Sequence, residues 1–219
     1  MDDTPPRPGR PRGADGAELL AAARHVFLQH GYGDATMAEV AARAHVSKNS
    51  LYRDYPSKGA LFAAVVADWV SRGRDAMRPH VDALAGSEDV VVGLREFAAV
   101  LQRAVLSDEV LGMRRIVVAE AERFPNVARD YVADSWDRNI EILSQAFDQL
   151  MERGVMMRAD ATPAARLLTW MVVGEPLNAR TLGVKRAPDE TQRLQSILDA
   201  GVSAFVARYV SEPLGPRLT

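Results

Sequence analysis

The sequence predicts an all-α protein, and three observations carry that expectation. Apolar residues recur at three- and four-residue spacing from about residue 16 to residue 209, and no segment shows the alternation of a strand. Helix-start residues and Gly or Pro stops punctuate those stretches. No apolar run approaches the roughly 18 residues of a membrane span, so the helices are expected to bury their faces against one another.

The elements follow in order. A helix over 16–30 carries Leu19, Leu20, Ala23, Val26 and Phe27 on one face, with Asp15 and Glu18 as a capping box and Gly31 as its stop. Thr36 and Glu39 form a second capping box, opening a short helix that turns Val40, Ala41 and Ala44 inward. Ala44-His45-Val46 is a three-residue break, and Ser47 caps the next helix, from which Leu51 and Tyr55, with Val46, close over the second. Pro56-Ser57 restarts the chain into a long helix over 58–77, with Leu61, Phe62, Val65, Val66, Trp69 and Val70 on its apolar face and Pro79 marking its end. Five further helices are expected over 87–106, 108–124, 126–153, 162–181 and 189–209; Thr162-Pro163 reads as a cap followed by proline at the first helical position.

Residues 36–58, TMAEVAARAHVSKNSLYRDYPSK, therefore encode two short capped helices around a tight turn, a unit that lays its second helix in the major groove of duplex DNA. At the exposed start of that helix, Lys48 suits guanine O6 and N7, Asn49 suits adenine N6 and N7, and Ser47 and Ser50 are permissive. Tyr52, Arg53 and Lys58 read as phosphate contacts, and the backbone N–H groups at Thr36 and Ser57 offer helix-start sites for phosphate.

The same stretch resembles the DNA-binding domain of the TetR/AcrR family of bacterial transcriptional regulators. The resemblance rests on Thr36, Val40-Ala41, Val46-Ser47, Leu51-Tyr52, Tyr55, Ser57-Lys58 and Ala60-Leu61-Phe62, with Ala22-Ala23-Arg24, Phe27 and Gly31-Tyr32 upstream. It covers about residues 17–66 and supports Tyr52 and Lys58 as phosphate contacts. Three positions depart from the family pattern. His45 stands where glycine is usual, so a left-handed backbone there carries strain. Asn49 also replaces a common glycine and adds a potential base contact. Asp54 replaces a histidine or aromatic, and its carboxylate must point away, pair with Arg53 or Lys58, or weaken DNA binding.

The resemblance implies nine helices, divided as a 1–14 arm, a 15–60 DNA-binding domain, a 61–211 ligand-binding and dimerisation domain and a 212–219 tail. Phe97, Leu101, Met113, Val117, Trp136, Ile140 and Phe147 lie on helices that the family packs around a ligand cavity, although any of them serves equally as core. The helices over 162–181 and 189–209 are apolar on more than one side, through Leu167, Trp170, Met171, Leu194, Leu198, Val202 and Phe205. A four-helix interface between two subunits accounts for that, and so does a larger core within one chain.

Charge narrows the expected footprint on DNA. The net charge is −2, and residues 1–60 hold 8 basic against 7 acidic side chains, so positive charge is local to the arm, the recognition helix and the start of the next helix. In the arm, Pro8-Gly9-Arg10-Pro11-Arg12-Gly13 resembles an AT-hook core, whose Arg10 and Arg12 suit a narrow A·T minor groove; a solvated leader reads as well. The first fifteen residues lack the apolar core of a secretory signal, and the chain has no cysteine, which suits a reducing cytoplasm.

Enzyme, metal and cofactor sites are not expected. His25, His30, His45 and His80 show no metal-ligand spacing, and neither a G-x-S-x-G nor a P-loop pattern is present. The expected function is a homodimeric repressor released from a palindromic DNA operator by a small-molecule effector. A same-family activator, a ligand-independent regulator, and a helical ligand-binding or adaptor protein without DNA recognition remain as alternatives.

Overall fold

A computed structural model of the chain describes residues 16–184 and 187–210. The arm with Arg10 and Arg12, the Asp15 cap and the 212–219 tail lie outside the described residues. Those residues are nearly all helical: α1 (Gly16–Asp34), α2 (Met37–Arg43), α3 (Lys48–Asp54), α4 (Lys58–Ala85), α5 (Val90–Val105), α6 (Asp108–Ala119), α7 (Pro125–Tyr131), a π-helical turn (Val132–Asp137), α8 (Arg138–Glu152), α9 (Ala161–Thr181) and α10 (Glu190–Tyr209). Since α7, the π turn and α8 run on without a break, the described residues form nine helical stretches. A single antiparallel bridge, Met156 with Val210, ties the segment before α9 to the end of α10.

The chain divides into two compact units, Met1–Asp68 and Trp69–Thr219. In the first, Gly31 breaks the helical path of α1 at φ 71°, a conformation that glycine adopts without Cβ strain. The turn brings Tyr32 against Phe27 and Phe62, with ring centroids 5.2–6.0 Å apart, and Val40, Ala41, Ala44 and Leu51 close the core from α2 and α3. The aromatic cluster joins α1 to the start of α4.

The second unit is built on a buried face shared by α5, α8, α9 and α10, with Leu94, Phe147, Leu168, Val172 and Phe205 at its centre. Gly201 lets α10 approach α9 closely; a Cβ there would lie 3.3 Å from Val172 Cγ1 and 3.4 Å from Met171.

Several boundaries differ from expectation. Helix α4 runs through Pro79 to Ala85. Proline removes one backbone donor, but its unpartnered acceptor at Asp75 is exposed to water, while Val81 and Leu84 beyond it are buried. Asp89, rather than Ser87, caps α5 by accepting from the N–H groups of Val91 and Val92. Asp160, rather than Thr162, caps α9, so that Pro163 falls within the first turn, where its missing N–H is not needed. Helix α6 stops at Ala119 rather than near Phe124.

Candidate nucleic-acid interface

The α2–α3 corner is assembled by local chemistry. Thr36 Oγ accepts from the Glu39 N–H, while the Glu39 carboxylate accepts from both the hydroxyl and the N–H of Thr36. Those donors, aided by His30 3.9 Å away, hold the Glu39 carboxyl below its ordinary value of 4.5. At the end of α2 the N–H groups of His45 and Val46 reach back to the Ala42 and Ala41 carbonyls, at 3.2 and 3.0 Å, and His45 adopts φ 54°. This is the left-handed helix stop that usually takes glycine, here carried by a histidine. Ser47 then caps α3, its Oγ accepting from the Ser50 N–H at 3.0 Å and donating to Ser50 Oγ at 2.9 Å.

The corner presents Lys48, Asn49 and Tyr52 outward from α3, with Tyr52 49% exposed. Among the described residues none of these three side chains has a hydrogen-bond or ion-pair partner. The other expected contacts are already engaged. Ser47 and Ser50 bond to each other, and the Thr36 N–H is taken by Glu39. Arg53 Nε donates to Asp54 Oδ1 at 3.1 Å, so Asp54 takes the pairing with Arg53.

Lys58 is the largest departure from the sequence reading. Its ammonium group donates to the carbonyls of Tyr32, Gly33 and Ala35 at 2.6, 2.8 and 2.8 Å, and lies 4.6 Å from the centre of the Tyr32 ring. All three protons are used on carbonyls in and just past the last turn of α1, and the positive charge faces that helix terminus. In this geometry Lys58 is a clip within the head rather than a cation waiting for phosphate.

The second unit contains a cavity of about 140 Å³. It is lined by Trp69, Val70, Gly73, Arg74, Met77 and Val81 of α4, by Phe97, Leu101, Ala104 and Val105 of α5, and by Val110 of α6. Tyr131, Ser135, Trp136, Asn139, Ile140 and Leu143 line it from the α7–π–α8 stretch, and Thr169 from α9. Four expected residues, Phe97, Leu101, Trp136 and Ile140, therefore meet around one space. Met113, Val117 and Phe147 do not line it: they are 0–3% exposed and packed as core, Phe147 against Phe205 with ring centroids 5.4 Å apart. The extra residue of a π turn shifts the register of the apolar stripe, which places Ser135, Trp136 and Asn139 at the wall together.

The description of bacterial regulatory proteins of the tetR family fits residues 19–65, and that of the AefR-like transcriptional repressor C-terminal domain fits residues 92–211, more than half of the chain. The chain belongs to the TetR family of bacterial transcriptional regulators.

Relatives of this TetR-family regulator act on transcription and are not enzymes. It is 43% identical over 76 residues to the HTH-type transcriptional activator FasR of Mycolicibacterium smegmatis, matching 33% of this chain and 35% of that protein. It is 30% identical over 114 residues to the HTH-type transcriptional regulator UidR of Escherichia coli, matching 50% of this chain and 53% of that protein. The chain thus spans about half or less of the length of these curated relatives. Among solved structures, a TetR-family regulator from Mesorhizobium loti superposes with TM-score 0.84 at 28% identity, over 89% of this chain and 96% of that one. The flavonoid-responsive regulator FrrA superposes with TM-score 0.67 at 25% identity, over 90% and 97%.

The TetR-family regulator's last two helices divide the expected interface residues. Leu167 and Trp170 are 42% and 45% exposed on α9, with Met171 and Leu194 half-buried beside them. Leu198, Val202 and Phe205 are 0–2% exposed inside the chain's own core, which removes them from any surface a second copy can touch. The apolar excess of α10 is thus explained by packing within one chain. No helix among the described residues is long and apolar enough to cross a membrane.

Proposed function

We propose that this regulator is a homodimeric repressor that leaves a palindromic operator when a small molecule fills the cavity of the second unit. The cavity carries the reading. Close packing removes voids of that size from an ordinary core, because unfilled volume destabilises. Here the space is kept open between flat aromatic walls and a few polar groups. FrrA, similar over nine-tenths of the chain, is by its name responsive to flavonoids, which supports a small-molecule effector. The AefR-like description is of repressors and covers the half that holds the cavity, which favours repression over the activation named for FasR.

Leu167 and Trp170, with Ala200 and Ala204 exposed on α10, suit a face between two copies. Two heads then meet half-sites separated by about one helical turn, roughly 34–36 Å. On each head Lys48 and Asn49 address base edges and Tyr52 addresses phosphate, while Arg10 and Arg12 add affinity on A·T flanks. An effector bound better by the form with wrongly spaced heads shifts the population off the operator.

Anisotropy titrations with DNA flanking the protein's own gene, over a salt series in reducing, cytoplasm-like buffer, test the roles. Tyr52→Ala is expected to weaken operator and random DNA alike, whereas Asn49→Ala lowers the ratio between them by about tenfold at one base pair. Equal losses on both DNAs for both variants, or a strictly monomeric protein by ultracentrifugation, would remove the reading.

A further inference from the structure

We infer that the cavity selects a small planar aromatic carboxylate, with its ring between the Trp69–Tyr131 pair and Trp136 and its carboxylate on Arg74. This deepens the effector reading above and rests on it.

Size sets the first limit. An apolar cavity of about 150 Å³ accommodates benzene, so the roughly 140 Å³ here holds a single ring with a short substituent. Shape sets the second. Trp69 and Tyr131 lie nearly parallel, 5° apart with centroids at 5.8 Å, and Trp136 is backed by Trp170 at 4.9 Å and 19°. These stacked pairs give the cavity flat walls, against which a planar ring packs in offset or edge-on geometry.

Charge sets the third. Among the described residues Arg74 is the one charged side chain on the lining, and no aspartate or glutamate lines the space. Arg74 is half-buried, and among the described residues it donates only to neutral oxygens, Ser71 Oγ at 3.1 Å and the Asp134 carbonyl at 3.5 Å. Among the described residues it has no carboxylate within ion-pair distance. A second positive charge stands behind the wall: Arg114 donates to the Tyr131 hydroxyl at 3.5 Å and lies 5.9 Å from the centre of the Trp136 ring. The lining is therefore apolar but biased toward an anion, and a guanidinium with unused donors takes a carboxylate bidentately. Gly73, beside Arg74 on α4, both lines the cavity and is exposed, so the cavity is open to solvent on that side.

The test uses the full chain, tryptophan fluorescence, and the probes 3-phenylpropanoate, 3-phenylpropanamide and 3-cyclohexylpropanoate. The aromatic acid is expected to bind about tenfold or more tightly than its amide, and more tightly than the cyclohexyl acid. Arg74→Gln should remove the preference for the acid, bringing acid and amide to similar affinity, while Arg74→Lys retains part of it. Equal affinity of acid and amide, with the amide bound in the wild type, overturns the carboxylate assignment and leaves an effector cavity standing. An acid preference that survives in Arg74→Gln also overturns it. Failure of all three probes to bind a folded protein overturns this assignment alone, since the effector reading beneath it is tested by the DNA and oligomer measurements above.

Discussion

The ammonium of Lys58, the first residue of α4, donates at 2.6 Å to the carbonyl of Tyr32, the residue that follows the Gly31 break in α1. Two further carbonyls complete its three bonds. A lysine placed this way stabilises the head. Lys58→Met should lower the stability of the head by about 2 kcal/mol, the scale of hydrogen bonds to a charged donor. The slope of log affinity against log salt should stay within error of the wild type. A direct phosphate contact would instead lower that slope by about 0.9 with little change in melting. Thermal melts paired with salt titrations separate the two.

His45 presents a different test, because its strain is legible in the sequence and present in the structure at φ 54°. A non-glycine residue in that region costs about 1–2 kcal/mol, and glycine gives back about 0.5–1 kcal/mol through the unfolded chain. His45→Gly should therefore stabilise the protein by about 0.5 kcal/mol, with operator affinity unchanged within about twofold. A lower melting temperature for the variant would mean that the histidine side chain contributes something its exposed position does not reveal.

The capping box sets a pH dependence. Glu39 is held below its ordinary value of 4.5, first by the Thr36 hydroxyl, then by the Thr36 N–H, with a smaller contribution from His30. A depressed folded value means that its contribution is complete above pH 4.5 and fades as pH falls through the lower folded value. Chemical unfolding of wild type and Glu39→Gln, compared from neutral pH down to about pH 3, should give a stability difference that is constant above 4.5 and shrinks below it. A difference that grows on acidification would contradict the assignment.

These positions indicate what the chain discloses before folding. Thr36, Glu39 and Ser47 act within three residues of themselves, so the head's corners were legible from spacing alone. Lys58 bonds to residues 23 to 26 positions earlier, and nothing in the order of residues distinguishes that partner from a phosphate. The cavity shows the same limit. Phe97, Leu101, Trp136 and Ile140 were recognisable as an inward stripe, but only the tertiary packing of separate helices decides that Trp69, Arg74 and Tyr131 join them. One signal was available in advance: Arg74 interrupts an apolar face that continues at Met77 and Val81.

Gln102 shows how a buried polar side chain can answer a proline one helix away. Pro176 lies inside α9 and supplies no N–H, so the carbonyl four residues earlier, Val172, lacks its helical donor. Gln102 of α5, 6% exposed, donates from Nε2 to that carbonyl at 3.0 Å and to the Leu194 carbonyl of α10 at 3.2 Å, joining three helices of the core. Gln102→Leu keeps the volume roughly constant and leaves the Val172 acceptor buried and unpaired, a loss of about 2 kcal/mol, or roughly 4–8 °C in melting temperature. In a Pro176→Ala background the helix regains its own donor, and the same substitution should cost about 1 kcal/mol less. Additive losses in the double variant would mean that Gln102 stabilises the three-helix junction through the Leu194 carbonyl and packing, with the proline's missing donor playing no part.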